Sequence, residues 1–132
     1  MTHAPDYSGC TIDGYGIGPL LGRGGMASVF KAFDPSLQRE VAIKIFPEAD
    51  LDMKERLQRF ERETRLIAQV NHLNIAHVFN IGQVDDCPYY VMEYIKGCSL
   101  GDLLIERNRL PPSQVVDIML QVSKGLRAAA EH

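Results

Sequence analysis

Apolar residues change period along the chain, and those changes mark out its elements. Tyr15-Gly16-Ile17-Gly18-Pro19-Leu20-Leu21 leads into Gly22-Arg23-Gly24-Gly25, and Ala27-Ser28-Val29-Phe30-Lys31-Ala32-Phe33 alternates before Asp34-Pro35. This pattern predicts two strands around a glycine-rich turn. Val41-Ala42-Ile43-Lys44-Ile45-Phe46 is a third strand, β-branched and apolar except for Lys44, and Pro47 closes it. From Leu51 to Val70 the period lengthens: Met53, Leu57, Phe60, Thr64 and Ile67 share one stripe, and Glu55, Gln58, Glu61, Arg62 and Arg65 face away. That is an amphipathic helix whose mixed charges suit a solvated face. Ile75 to Ile81 and Tyr89 to Ile95 flank Gly82-Gln83-Val84-Asp85-Asp86-Cys87-Pro88, a second hairpin signature. After Gly97-Cys98, Ser99 is placed to cap a short helix over Leu100 to Asn108. Pro111-Pro112-Ser113 opens a last helix, from Gln114 onward, with Val115, Ile118, Met119, Val122, Leu126 and Ala129 in phase. The expected architecture is α+β: five antiparallel strands with one inserted helix, then two helices.

Composition narrows the function classes. The 132 residues are 45% hydrophobic and 23% charged, enough for one small domain. The longest apolar runs fall short of the ~18 residues of a membrane span, so no membrane segment is expected within these residues. With 14 Lys+Arg against 17 Asp+Glu the net charge is −3 and no basic run stands alone, so nucleic acid is not an expected partner. Cys10, Cys87 and Cys98 form an odd, unpatterned set, which argues against a disulfide framework or paired Cys-x-x-Cys zinc ligands and suits a reducing, cytoplasmic setting. Met1 to Ile12 is small, polar and unpatterned, lacks the marks of a secretory signal, and reads as a loose arm.

Two features could carry chemistry. In Gly22-Arg23-Gly24-Gly25-Met26-Ala27-Ser28-Val29 the glycines let backbone N–H groups approach an anion, or they simply form a flexible hairpin tip. A strand rather than a helix follows them, which counts against a dinucleotide-binding turn. Lys44 lies in an apolar strand, and an ammonium buried there needs a carboxylate or a bound anion, unless it snorkels out at an edge. With Phe60 as the centre of the helical stripe, Glu63 lies about 60° off centre and could reach inward. A Lys44–Glu63 pair beneath a glycine-rich flap is therefore expected.

Five strings in order, Leu21 to Val29, Val41-Ala42-Ile43-Lys44, Arg59-Phe60-Glu61-Arg62-Glu63, His72-Leu73-Asn74-Ile75 and Tyr90-Val91-Met92-Glu93-Tyr94-Ile95-Lys96-Gly97, closely resemble the small lobe of a bacterial-type serine/threonine protein kinase. The resemblance implies a kinase small lobe over 13–97 after an arm over 1–12, with 98–132 as the hinge exit and first helices of an incomplete large lobe. It implies ATP as ligand, with Mg²⁺ in the full-length kinase, and transfer of the γ-phosphate to protein Ser/Thr there. By the same resemblance Leu21, Gly22, Arg23, Gly24, Gly25, Met26, Ala27, Ser28 and Val29 form the flap over the phosphates, with Gly22, Gly24 and Gly25 among the backbone donors. Lys44 contacts the α- and β-phosphates and pairs with Glu63; Leu21, Val29 and Ala42 enclose adenine; Met92 closes the back of the pocket; the backbones of Glu93 and Ile95 bond the base; and Ser99 lies near the ribose. Ala27 stands where the eukaryotic pattern has a third glycine, and Leu73 replaces the proline usual after His72, which is expected to be a structural loop residue. Cys98 is expected to be a bystander.

Kinase chemistry also needs a His-Arg-Asp catalytic loop, its downstream Asn and an Asp-Phe-Gly metal site, and none of those strings occurs here. Asp102 and Asp117 fall on predicted helices, and Asp34, Asp85 and Asp86 in surface turns, so the 132 residues alone are expected to be inactive. The alternative to part of a longer kinase is a non-catalytic, pseudokinase-like module that binds a nucleotide or a partner. The apolar stripe of the last helix separates the two, since a complete chain would leave it uncovered.

Overall fold

In the computed structural model, which describes residues 5–24, 27–47 and 53–132, the chain runs β1 (Thr11–Ile12), β2 (Tyr15–Arg23), β3 (Ser28–Asp34), β4 (Arg39–Ile45), α1 (Met53–Gln69), β5 (Val78–Val84), β6 (Cys87–Glu93), α2 (Leu100–Arg107) and α3 (Pro112–Ala130). The expected α+β layout, antiparallel strands with one inserted helix followed by two helices, is what forms, with a short extra strand. The strands make one antiparallel six-stranded sheet in the order β1-β2-β3-β4-β6-β5.

Alternation along the central strands sends their side chains to two different environments. Phe30, Val41, Ile43, Ile45, Tyr89 and Val91 all point to one face and are under 2% exposed. The opposite face carries Val29, Ala42, Lys44, Tyr90 and Met92, in rows fixed by the register Val29↔Lys44↔Tyr90 and Ala42↔Met92. That second face receives α1.

The sheet curls until its ends meet over the core. The Tyr89 hydroxyl donates to Asp13 Oδ2, Asn80 Nδ2 donates to Tyr15 Oη at 3.2 Å, and the Tyr7 hydroxyl donates to Asp85 Oδ2 at 3.3 Å. Tyr7 and Ile12 join the same core. The arm expected to be loose over 1–12 is therefore packed from Tyr7 to Ile12, because two apolar side chains among its polar residues reach the open end of the sheet; residues 1–4 lie outside the described residues. β1 itself is too short for any alternation to show in sequence. The hairpin joining β5 to β6 turns on Asp85 and Asp86, both at positive φ (46° and 62°), as a two-residue turn that follows the twist of its strands requires and aspartate tolerates.

Burial pushes the Tyr7 phenol up to about 12, with the nearby Cys87 and Asp85 adding to it, and burial with the Asp13 bond raises Tyr89 further. The folded state thus keeps protons that the unfolded chain releases near pH 10, so this contribution is complete below pH ~10 and falls away as pH rises toward 12. Alkaline titration followed by far-UV circular dichroism is expected to show unfolding that begins above pH ~10, and the Tyr7→Phe variant is expected to lose less stability over that interval.

α2 begins as expected. The Ser99 side chain accepts from Asp102 N while Asp102 Oδ2 accepts from Ser99 N, a reciprocal cap. α3 touches the loop between α1 and β5 at Gly125, where a Cβ would meet Asn74 O at 3.0 Å, and Asn74 Nδ2 donates to Gln121 Oε1 beside it. Of its apolar stripe, Ile118 is half-buried, and Val115, Met119, Val122 and Leu126 are exposed.

Candidate functional site

The site is built on the face of the sheet that does not form the core. β2 and β3 supply its hairpin roof, with Gly22 opposite Val29 and Arg23 opposite Ser28. Register shifts on either side of Leu20 leave Leu21 out of the regular ladder, exposed beside the roof. Among the described residues, a Cβ at Gly22 would meet nothing within 4 Å, and at Gly24 only Ala27 O at 3.9 Å, so a ligand can approach the backbone closely at these two glycines. The Gly24 N–H donates to Ala27 O at 2.9 Å. This bond closes the tip and takes one of the expected backbone donors out of play. Gly25 and Met26 lie outside the described residues. Ala27 and Ser28 are buried.

The floor is apolar. Ala42 is buried, and Val29 and Met92 are half-buried on the same face. Lys44 enters between Val29 and Tyr90, half-buried, with its Nζ 5.6 Å from the Phe46 ring centroid and 6.0 Å from that of Tyr90. At the rim, Lys31 Nζ meets Glu40 at 2.8 Å and Lys96 meets the same carboxylate at 3.6 Å. The hydrogen bond between them holds Lys31 above, and Glu40 below, its ordinary pKa.

On the hinge side, the Glu93 N–H donates to His77 O at 2.8 Å, and Glu93 Oε2 accepts from His77 N at 3.3 Å. Glu93 can therefore offer a ligand its carbonyl but not its N–H. Ile95 is exposed just beyond. His72 is a loop residue whose Nδ1 accepts from Asn74 N at 3.0 Å, and Cys98 is exposed.

The structure brings Leu21, Gly22, Val29, Ala42, Lys44 and Met92 to one face, but it does not bring Glu63 to Lys44. Glu63 is exposed, and no ion pair among the described residues joins Lys44 to a carboxylate. The cause is the rotation of α1. Thr64 is buried and Leu57, Phe60 and Ala68 are half-buried, so the side of α1 against the sheet runs through Leu57, Thr64 and Ala68 rather than being centred on Phe60. Glu63 then lies about 100° from the middle of that side. Phe46 and Tyr90 lie against Lys44 and pack on Phe60 of α1, a grouping that the sequence pattern does not predict, because Tyr90 reaches Lys44 only through the β4–β6 register.

A protein kinase domain profile matches residues 15–131. The chain belongs to the protein kinase family. Its kinase relatives are bacterial serine/threonine-protein kinases: PrkC of Bacillus subtilis is 36% identical over 118 residues, covering 89% of this chain and 18% of PrkC. PksC of Streptomyces coelicolor is 39% identical over 132 residues, covering 95% of this chain and 24% of PksC. PknB of Mycobacterium leprae is 36% identical over 131 residues, covering 96% and 20%. Among solved structures, the PknI kinase domain of Mycobacterium tuberculosis superposes with a TM-score of 0.82 at 28% identity, over 94% of this chain and 50% of that one. This kinase chain thus spans about a fifth of these curated relatives and half of a solved kinase domain. Among the described residues, no helix is long and apolar enough to cross a membrane, and no three His, Cys, Asp or Glu side chains cluster as a metal site.

Proposed function

We propose that this chain is the ATP-binding part of a cytoplasmic serine/threonine protein kinase, with the small lobe over 13–97 and the first large-lobe helices over 98–132. Adenine lies between Leu21, Val29 and Ala42 with Met92 behind it, bonded by the Glu93 carbonyl and the Ile95 backbone, and Ser99 lies toward the ribose. Gly22, Arg23 and the rest of the tip to Ser28 cover the phosphates. The observation that carries this reading is Lys44, a half-buried ammonium on an apolar floor that no carboxylate among the described residues meets, beneath a hairpin with open space over Gly22. A buried cation of this kind calls for an anion, and phosphate oxygens supply one.

In the longer kinase the γ-phosphate passes to a protein Ser or Thr. Mg²⁺, held there by groups beyond these residues, supplies charge neutralisation when bound. The part of this chain is to orient the nucleotide, shield its base from water and hold Lys44 at the phosphates. The exposed stripe of α3 is covered by the remainder of the domain, in keeping with a solved relative twice as long.

Thermal denaturation with and without Mg·ATP tests the reading. Nucleotide that binds only the folded chain stabilises it by about 2.7 kcal/mol at a hundredfold excess over Kd. The parent's melting temperature is expected to rise with ATP, and that of Lys44→Met to rise much less. Equal shifts in both proteins would remove Lys44 from the site.

A further inference from the structure

Three aromatic rings occupy the space between Lys44 and α1. Phe46 follows directly on β4, Tyr90 faces Lys44 from β6, and Phe60 comes down from α1. Phe60 stacks on Tyr90 at 6.1 Å with the rings 15° apart, and meets Phe46 edge-on at 5.1 Å; Phe46 and Tyr90 are 5.6 Å apart. The Lys44 ammonium lies within cation–π range of Phe46 and Tyr90. The same two rings therefore hold both the lysine and the helix.

We propose that Phe46, Phe60 and Tyr90 form an aromatic latch that seats the Lys44 ammonium on its rings and holds α1 with Glu63 in solvent, so that a Lys44–Glu63 pair forms only when Phe60 leaves its stack. Phe60 and Tyr90 are thus positioning residues acting through Lys44 and α1. The geometry makes the two arrangements exclusive. Glu63 is three positions from Phe60 on the helix, about 60° to the side away from Leu57 and Thr64. Turning Glu63 toward the sheet would swing the buried Thr64 and half-buried Leu57 outward and shear Phe60 off Tyr90. Such a rotation has a small number of packed end states rather than a continuum, because close-packed side chains interdigitate. The latch rests on the reading of Lys44 and Glu63 as the kinase pair. Its test contains no nucleotide, so a failure of ATP to bind leaves its outcome untouched.

The chain has only five lysines, Lys31, Lys44, Lys54, Lys96 and Lys124, so labelling lysine with ¹³C at Cε gives a spectrum in which Lys44 is assigned by its loss in Lys44→Met. In the parent, the Lys44 Cε protons are expected upfield of those of the exposed lysines, shifted by the ring currents. Tyr90→Leu should move them toward the exposed position and Tyr90→Phe should keep them upfield. Lys31, over the Tyr94 ring at 5.0 Å, is an internal reference that neither change should move. In parallel, a zero-length carbodiimide joins Lys44 Nζ to the Glu63 carboxyl as an amide only when the two meet. The product, read by mass spectrometry and absent in Glu63→Gln, should rise several-fold in Phe60→Leu. A parent Lys44 signal at the exposed position, a signal unmoved by Tyr90→Leu, or a parent crosslink already as strong as that of Phe60→Leu would each overturn the latch. Should Phe60→Leu fail to fold, the Tyr90 pair decides on its own.

Discussion

Gly82→Ala is expected to be among the most damaging single-methyl additions to the small lobe, lowering stability by about 3 kcal/mol and the melting temperature by roughly 10 °C. Gly82 lies on β5 directly opposite Tyr89 on β6. A Cβ built there falls 2.5 Å from Tyr89 Cζ and 2.9 Å from Cε1, and closer still to the hydroxyl. Such overlap is relieved cheaply only when the neighbour can move, and Tyr89 cannot. Its ring is 1% exposed in the centre of the core, and its hydroxyl is tied to Asp13 across the closure of the sheet. Shifting the ring would therefore open the contact that brings the ends of the sheet together. Gly16→Ala is the control: it lies on β2 with nothing within 4 Å of its Cβ position, and a change within about 0.5 kcal/mol is expected. Urea melts of the two variants make the comparison. Tyr89→Leu should be costly alone, yet combined with Gly82→Ala the loss should be less than the sum, because the overlap has gone. A Gly82→Ala protein as stable as Gly16→Ala would mean that Tyr89 does not lie across Gly82.

What could be read from the residues, and what could not, follows from the range of the interactions involved. The helical period from Met53, the strands around the glycine turn and the Ser99 cap are local, and each appears where its local pattern put it. Lys44, the anomaly in an apolar strand, stands on the face opposite the core, in register with Val29 and Tyr90. The Glu63 partnership did not form, because the facing side of α1 depends on which of several near-equivalent stripes packs against the sheet, and tertiary contact rather than periodicity decides that. Periodicity alone centres the buried side on Phe60; the burial of Thr64 and Leu57 puts its middle further round. The aromatic rings under Lys44 were invisible for a related reason. Tyr90 is 46 positions away in sequence and becomes its neighbour only through the β4–β6 register. Likewise the arm before Tyr15 gave no period to read, and only the open end of the curled sheet explains why Tyr7 and Ile12 are buried.

Purified residues 1–132 are expected to transfer no phosphate from ATP, to themselves or to an added protein, even where ATP binds. Positioning and charge stabilisation supply nearly all of the catalysis in phosphoryl transfer, and a general base or water-positioning residue must sit at the nucleophile. The aspartates among the described residues are committed elsewhere. Asp13 holds Tyr89 and Asp85 holds Tyr7. Asp34, buried rather than in a surface turn, accepts from Ser36 N and Leu37 N. Asp86 accepts from Gln83, Asp102 caps α2 and Asp117 accepts from Gln121, while Asp6 accepts from Ser8 N. Asp50 and Asp52 lie outside the described residues. Of the glutamates, Glu40, Glu61 and Glu131 are ion-paired and Glu93 accepts from His77. Glu63, the one carboxylate expected near Lys44, faces solvent. The loss of a base and of metal-held phosphate together removes many orders of magnitude from the rate, since a single electrostatic contact in such a site is commonly worth 10²–10³-fold. Incubation with γ-³²P-labelled ATP and a generic Ser/Thr-rich acceptor, against Lys44→Met as the background, measures it directly. Label incorporated by the parent above that background would show that one of these carboxylates leaves its present partner and serves at the nucleophile.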